Sequence, residues 1–115
     1  MSYVKATGPA LPGDAELGQS VEVLRLLADR TRLALLALLD GRELSVGALC
    51  GELDRPAPAV SQHLAKLRAA GLVASRREGT SVFYTQPDEH VALLVANVLQ
   101  YAEHVLDADP AHHRG

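Results

Sequence analysis

The chain contains no tryptophan, one phenylalanine and three tyrosines, so aromatic side chains cannot fill its interior. Apolar residues nevertheless make up 48% of the sequence, and leucine and alanine are the most frequent among them. This composition favours helices that pack closely on one another. A length of 115 residues is typical of one domain. The sequence therefore predicts a single, mainly helical domain with an aliphatic core.

Long apolar segments and paired cysteines are also missing. No apolar run approaches the roughly 20 residues that a membrane-spanning helix needs. The first residues, in which Lys5 is followed by Gly8 and Pro9, are unlike a signal peptide. Cys50 is the single cysteine and cannot form an internal disulfide, which favours a reducing compartment. We expect a cytoplasmic protein in which Cys50 is a small buried apolar residue.

Acidic residues are absent from one long segment. Between Arg55 and Arg77 there is no aspartate or glutamate but there are five basic side chains, although the whole chain has a net charge of −3. The remaining residues therefore carry a net charge of −8. Most charge runs are only solvated helix faces. An acid-free segment that holds a helix and a hairpin in tandem instead favours contact with nucleic acid.

Helical spacing of apolar residues and capping residues predict five helices. Asp29 and Ser45 can cap helix N-termini, and Gly41 and Gly71 suit the residue that ends a helix. We expect a flexible arm over residues 1–13, a folded domain over 14–106 and a histidine-containing tail over 107–115. The predicted helices run from about Asp14 to Leu27, from Asp29 to Leu39, from Val46 to Leu53, from the Asp54-Arg55-Pro56 turn to Gly71, and from Pro87 to about Val105.

Residues 73–85 change to the alternating pattern of β-strands. Polar and apolar side chains alternate on both sides of Glu78-Gly79, which is typical of a β-hairpin. Before the hairpin, a short helix, a tight turn and a helix with small and polar outer residues form the arrangement of a helix-turn-helix. The predicted fold class is mainly α, with a β-hairpin directly after the helix-turn-helix.

The fourth predicted helix carries the candidate base contacts. Gln62 can form a bidentate pair with an adenine edge and Ser61 can bond to most bases, whereas plain surface polarity is the alternative for both. The basic side chains suit phosphate contacts, which set affinity and not sequence preference. Ala57 and Ala59 are small enough for the start of this helix to approach the DNA groove closely. His63 lies at the margin of the helix face that points away from the core. The candidate DNA-binding residues are Ala57, Ala59, Ser61, Gln62, His63, Lys66, Arg68, Arg76 and Arg77.

The segments DRTRLALLALLDGRELSVGALC and PAPAVSQHLAKLRAAGLVASRREGTSVFY resemble the winged helix-turn-helix repressors of the ArsR/SmtB family. The similarity covers roughly residues 20–105, and SQHLAKLRAAGLV is its most specific part. The resemblance implies a homodimer that binds a palindromic operator and is usually released by a metal ion. It also implies that the first and last helices form the dimer interface and that the hairpin is the wing.

Two histidines of the last helix suggest where a metal would bind. His90 and His104 are fourteen residues apart, so they share a helix face but lie roughly 21 Å apart at about 1.5 Å per residue. One chain cannot bring both to one ion, whereas two helices packed antiparallel would place His90 beside His104 of the partner subunit. Asp88 and Glu103 add oxygen ligands. Nitrogen and oxygen ligands suit Ni(II), Co(II) or Zn(II), and two solvated histidines are the alternative.

The family resemblance refines this metal site. Asp88, His90 and His104 match zinc-sensing members, but Tyr101 stands where those proteins have another histidine. The pattern is more similar to the nickel- and cobalt-sensing, KmtR-like branch, and more than four ligands suit six-coordinate Ni(II) or Co(II) better than Zn(II). The cysteines of the arsenic, cadmium and lead sensors are replaced here by Ser45 and Gly47. The candidate metal ligands implied by the resemblance, together with Asp88, are His90, Glu103, His104, His112 and His113.

The sequence thus predicts a homodimeric DNA-binding transcriptional regulator of the repressor type that responds to Ni(II) or Co(II), with Zn(II) as a further candidate. One alternative keeps the DNA binding and assigns control to a partner protein or another ligand, because Tyr101 leaves the metal site degenerate. Another is a metal-carrying or dimerisation module without a DNA role, which the acid-free segment disfavours. No nucleophile–base pair or catalytic carboxylate pair is present, so an enzyme is not expected.

Overall fold

The structure, a computed structural model, describes residues 10–108. Within this range the chain forms five helices and three short strands, which confirms the predicted helices and the hairpin. Most of the predicted arm, and the tail with His112 and His113, lie outside the described residues. The elements are α1 (Asp14–Leu27), α2 (Arg30–Leu38), β1 (Leu44–Ser45), α3 (Val46–Leu53), α4 (Ala57–Ala69), β2 (Ala74–Glu78), β3 (Ser81–Thr85) and α5 (Glu89–Ala108).

Two predicted caps are present at the helix N-termini. The Asp29 side chain accepts a hydrogen bond from the backbone N–H of Arg32 at 2.9 Å, and the Ser45 hydroxyl accepts one from Ala48 at 3.1 Å. These side chains satisfy N–H groups that have no partner within the helix. Gly71, which follows α4, has a φ of +78°, a conformation that side chains with a Cβ rarely adopt. Local sequence therefore sets where α2, α3 and α4 begin or end.

The start and end of α5 differ from the sequence prediction. Asp88, and not Pro87, precedes the first helical turn: its Oδ1 accepts hydrogen bonds from the N–H groups of His90 at 2.7 Å and Val91 at 3.2 Å. The side chain that can accept these bonds determines the boundary, so Pro87 lies before the cap. The helix continues to Ala108, three residues beyond the predicted end.

The sheet also differs from the prediction. Glu78 pairs with Ser81, so the hairpin turn is Gly79-Thr80 and not Glu78-Gly79. Gly79 has a φ of +63°, which suits this two-residue turn. A third strand, β1, pairs antiparallel with β3 through Leu44 and Tyr84, giving the order β1-β3-β2. β1 has two residues, too few for an alternating pattern to be visible in the sequence.

The core is aliphatic, as the composition predicts. Its fully buried side chains come from α2 and the residue that follows it, from α3 and from α4. Tyr84 at 9% exposure is the aromatic residue among the buried residues of the described chain. None of the helices in residues 10–108 is long and apolar enough to cross a membrane. The fully buried side chains are Leu35, Leu36, Leu39, Leu49, Val60, Leu64 and Leu67.

Helices α1 and α5 leave much of their apolar surface uncovered. An open groove of about 470 Å³ lies between them, lined on its apolar side by Val23, Leu24 and Leu94. Contiguous exposed apolar surface in a folded domain marks a site of interaction. The large exposed apolar residues of the two helices are Leu17, Val21 and Leu24 in α1, and Leu93, Val98, Leu99, Tyr101, Val105 and Leu106 in α5.

Candidate nucleic-acid interface and metal ligands

Helix α4 presents the predicted reading face to solvent. Val60, Leu64 and Leu67 are fully buried, which fixes the rotation of the helix on α2 and α3. Ser61 and Gln62 are exposed on the opposite side. Lys66 and Arg68 are also exposed, Ala57 is exposed at the start of the helix, and Ala59 is partly buried. We call the exposed side chains of Ser61, Gln62 and Lys66 the reading face.

The side chain of His63, in α4, makes polar contacts with residues at the start of α2. Its side chain is 24% exposed, and its Nδ1 lies 3.3 Å from a guanidinium nitrogen of Arg32 and 3.7 Å from Oδ2 of Asp29. The Nε of Arg32 also donates to the carbonyl of Leu26 at 2.7 Å. The end of α1, the start of α2 and the middle of α4 are therefore held together by one polar network.

Asp29 supports a stability prediction. The N–H of Arg32, and then the charges of Arg32 and His63, lower the pKa of its carboxyl group. We expect Asp29→Ala to lower the free energy of unfolding by about 0.5–2 kcal/mol, the usual effect of losing an N-cap. A depressed pKa in the folded state stabilises the protein above the ordinary carboxyl pKa, and this contribution is lost as the pH falls through the lowered value. Urea unfolding at pH 7 and near pH 3 measures both.

Asp29→Asn is the control for this prediction, because asparagine keeps the cap and removes the charge. We expect the asparagine variant to lose less stability than the alanine variant at pH 7. It should also show a weaker dependence of stability on pH below 5. Equal losses in both variants at pH 7 would show that the charge, and not the cap, is what Asp29 contributes.

Two carboxylate groups surround Arg76, and this environment was not predicted from the sequence. Its guanidinium bonds to both carboxylate oxygens of Glu43 at 2.8 and 2.7 Å and to Glu78 at 2.6 Å, and it lies 4.7 Å from the centre of the Phe83 ring. The bonds to Glu43 and Glu78 raise the pKa of Arg76 and the bond from Arg76 lowers that of Glu43. These surroundings favour a role in fastening the hairpin over the phosphate contact predicted from the sequence.

Arg77 has the opposite environment. It points to the other face of β2, is exposed, and has no ion pair within residues 10–108. Glu43 reaches Arg76 because β1 lies next to β3 and brings the preceding loop close to β2. Because β1 was not predicted from the sequence, the contact between Glu43 and Arg76 was not predicted either. Of the two hairpin arginines, Arg77 is the one that remains available for a phosphate.

The candidate metal ligands form two separate groups on α5. Asp88 and His90 lie at its N-terminus, with His90 Nδ1 3.4 Å from Asp88 Oδ1 and the imidazole 97% exposed. Glu103 and His104 are exposed near the other end, roughly 21 Å away at about 1.5 Å per residue. Among residues 10–108, no group of three His, Cys, Asp or Glu side chains could hold a metal ion.

The donor chemistry of these groups fits a borderline metal only if two chains contribute. Each group offers one imidazole nitrogen and one carboxylate, a set that suits Ni(II), Co(II) or Zn(II). Hydrogen bonds from the N–H groups of Val91 and His90 lower the pKa of Asp88, so this carboxylate is ionised and partly committed to the cap. Tyr101 is 70% exposed between the two groups. Each end of α5 therefore presents one histidine and one carboxylate, fewer donors than the four of a structural zinc site.

Comparison with known proteins identifies the family. A model described as a helix-turn-helix domain matches residues 27–76. The transcriptional regulator KmtR of Mycobacterium tuberculosis is 48% identical over 94% of this chain and 83% of its own length. The repressor SmtB of the same organism is 38% identical over 84% of this chain and 71% of its own.

A solved structure agrees with these sequence matches. The homodimeric winged helix-turn-helix DNA-binding domain from Mycobacterium bovis, described as a possible ArsR-family regulator, matches with a TM-score of 0.73 and 34% identity. The match covers 89% of this chain and 97% of that domain. The hairpin β2–β3 is thus the wing, and the protein is a DNA-binding regulator and not an enzyme. The chain belongs to the ArsR/SmtB family of winged helix-turn-helix transcriptional regulators.

Proposed function

We propose that the chain acts in the cytoplasm as a homodimeric repressor that binds a palindromic operator and responds to Ni(II) or Co(II). The observation that carries the proposal is one exposed histidine with one carboxylate at each end of α5, flanked by apolar side chains that nothing in the described chain covers. We interpret each of these two groups as half of a metal site. The experiment that tests it is the operator affinity of the purified protein, measured by fluorescence anisotropy with and without each metal ion. Unchanged affinity with Ni(II), Co(II) and Zn(II) would contradict the metal response.

The apolar surface of α1 and α5 supports the dimer. Leu24 and Val98 are about half exposed and line neighbouring grooves between these helices. A second copy would bury the same surface on both subunits, as a two-fold interface requires. The Mycobacterium bovis domain is described as homodimeric, which supports a dimer for this chain. Two reading faces would then meet the two halves of a palindrome.

The same interface would complete the metal site. In an antiparallel pair of α5 helices, Asp88 and His90 would approach Glu103 and His104 of the partner subunit, and this would occur twice per dimer. A bound ion would supply a link between the two α5 helices. His112 and His113 of the tail are proposed as further ligands, which raise the ligand number toward the six that Ni(II) and Co(II) favour and away from the four typical of Zn(II).

Metal binding would change DNA binding through the dimer geometry. An ion held by both subunits stabilises one relative position of the α5 helices over others. Because each subunit carries one reading face, that position also determines how well both faces fit the operator. The coupling is a free energy between two sites, and it acts in both directions. We propose release on metal binding, and tighter operator binding with metal would instead identify a corepressor.

The DNA contacts themselves have a direct test. We expect Gln62→Ala to reduce discrimination at one base pair per half-site by about 1–3 kcal/mol. Arg77→Ala should weaken binding to all sequences alike and lower the slope of log affinity against log salt by about 0.9 for each lost contact. Competition assays with operator and random duplexes at several salt concentrations measure both. Equal losses on specific and random DNA for both variants would show that the assigned roles are wrong.

A second candidate function retains operator binding and loses the metal response. It is favoured by the exposure of Tyr101 between the half-sites, where no third ligand is present in the described chain. Control would then come from a partner protein or another ligand. Calorimetric titration of Ni(II), Co(II) and Zn(II) into the purified protein separates the two candidates. Weak binding that is unchanged in His90→Ala and His104→Ala would support the second.

A further inference from the structure

A polar cleft lies between the start of α2 and the turn before α4. It has a volume of about 250 Å³ and is lined by Arg30, Thr31, Ala34, Leu53 and Arg55. Arg30 is the first residue of α2, and Arg55 lies in the turn between α3 and α4. None of these side chains belongs to the reading face or to the wing. We call this cavity the α2–α4 cleft.

The two arginines of the cleft have no carboxylate partner within the described residues. Arg30 and Arg55 are both exposed, and neither forms an ion pair or a side-chain hydrogen bond within residues 10–108. By contrast, the guanidinium groups of Arg25 and Arg76 bond to glutamates. The carboxylate of Asp29 is occupied by the N–H of Arg32. Two guanidinium groups that share one cleft repel each other unless an anion lies between them.

Thr31 adds a buried polar group to the same cleft. It is 8% exposed and lines the cavity. Its hydroxyl can donate a hydrogen bond to an oxygen atom of a bound anion. A hydroxyl donor between two guanidinium groups is a donor set that suits a phosphate.

The α2–α4 cleft also lies beside the DNA-facing helix. Arg55 is two residues before Ala57, the first residue of α4. The start of α2 contacts the middle of α4, because Arg32 and Asp29 both approach His63. His63 directly follows Gln62 of the reading face in the sequence. An anion in the cleft would therefore lie at the edge of the surface that approaches DNA.

We infer that the α2–α4 cleft binds a backbone phosphate of the operator, through Arg30, Arg55 and Thr31. The inference rests on the proposed DNA binding and extends the contact beyond the reading face and the wing. Phosphate contacts fix the position of a protein on the duplex without reading its sequence. The cleft would hold α4 at a fixed depth in the groove, where Ser61 and Gln62 reach the base edges.

The test measures the salt dependence of DNA affinity for Arg30→Gln and Arg55→Gln. The matched control is Arg25→Gln, which removes the same charge from an exposed position on α1. We expect each cleft variant to lower the slope of log affinity against log salt by up to about 0.9, the value for one phosphate, equally on operator and random duplexes. Arg25→Gln should keep the wild-type slope. Thr31→Val, which preserves shape, should weaken binding to both duplexes without changing the slope.

The outcomes separate this inference from the proposed function. If wild-type protein binds operator but both cleft variants keep the slope of Arg25→Gln, the cleft does not bind DNA. If wild-type protein binds no DNA, the proposed function itself fails. A free phosphate ion is the other source of the same chemistry. Micromolar binding of inorganic phosphate, detected by NMR shifts of the Thr31 amide with unchanged DNA slopes, would overturn the inference in favour of that source.

Discussion

Leu24→Glu is expected to dissociate the dimer and to remove specific operator binding. Leu24 is 54% exposed on α1 and lines the apolar grooves between α1 and α5. Burying a leucine stabilises an interface by about 1.5–3 kcal/mol, and the two-fold axis makes the loss occur twice. A glutamate would add the cost of burying a charge. Sedimentation velocity and operator anisotropy over a range of protein concentrations measure the effect.

The loss corresponds to at least about a 100-fold weaker dimer, since each 1.4 kcal/mol is a factor of ten. Leu11→Glu is the matched control, because Leu11 is 91% exposed and precedes α1. This control should remain dimeric and bind the operator normally. A dimeric Leu24→Glu protein with normal operator affinity would show that α1 lies outside the interface. A monomeric protein with unchanged helical content would exclude unfolding as the cause.

His90→Ala and His104→Ala are each expected to abolish the metal response and to leave metal-free operator affinity unchanged. Both side chains are exposed at opposite ends of α5, and neither belongs to the reading face or to the wing. Each substitution removes one ligand from both sites of the dimer. Metal stoichiometry should therefore fall from two tightly bound ions per dimer to none. Calorimetry and anisotropy with Ni(II) and Co(II) measure the two effects.

A mixed dimer provides the decisive form of this experiment. One subunit carries His90→Ala and the other His104→Ala, and the heterodimer is purified through two different tags. If each site combines His90 of one chain with His104 of its partner, one site is intact and the other lacks both ligands. We expect one tightly bound ion per heterodimer. A heterodimer that binds no metal ion tightly would contradict the shared site. A full metal response in either single-variant homodimer would contradict the assignment of that histidine as a ligand.

The helices could be predicted from the sequence because their signals are local. The side chain of Asp29 bonds three residues ahead, to Arg32, and that of Ser45 bonds to Ala48. Gly71 adopts a positive φ that few other residues tolerate. Val60, Leu64 and Leu67 recur at helical spacing and are all buried, so the outward direction of Ser61 and Gln62 follows from the sequence alone.

The partners of the basic side chains could not be predicted in this way. Arg76 lies in an acid-free segment of the sequence, yet it bonds to Glu43, which is 33 residues away in the chain. Only the pairing of the two-residue strand β1 with β3 brings them together. The same reason explains Asp29 and His63, which approach each other across the packing of α2 on α4.

The acid-free segment and the capped helices are properties of the linear chain. They predicted a helix-turn-helix, a hairpin and contact with nucleic acid, and the resemblance to the ArsR/SmtB repressors implied a winged regulator. Which cations are free to meet a phosphate depends on contacts between distant residues. In the folded chain, Glu43 and Glu78 balance the charge of Arg76. Arg77, Arg30 and Arg55 have no carboxylate partners in the described chain. Charge density is additive along a sequence, whereas charge pairing depends on distances that exist only after the helices and the sheet have packed.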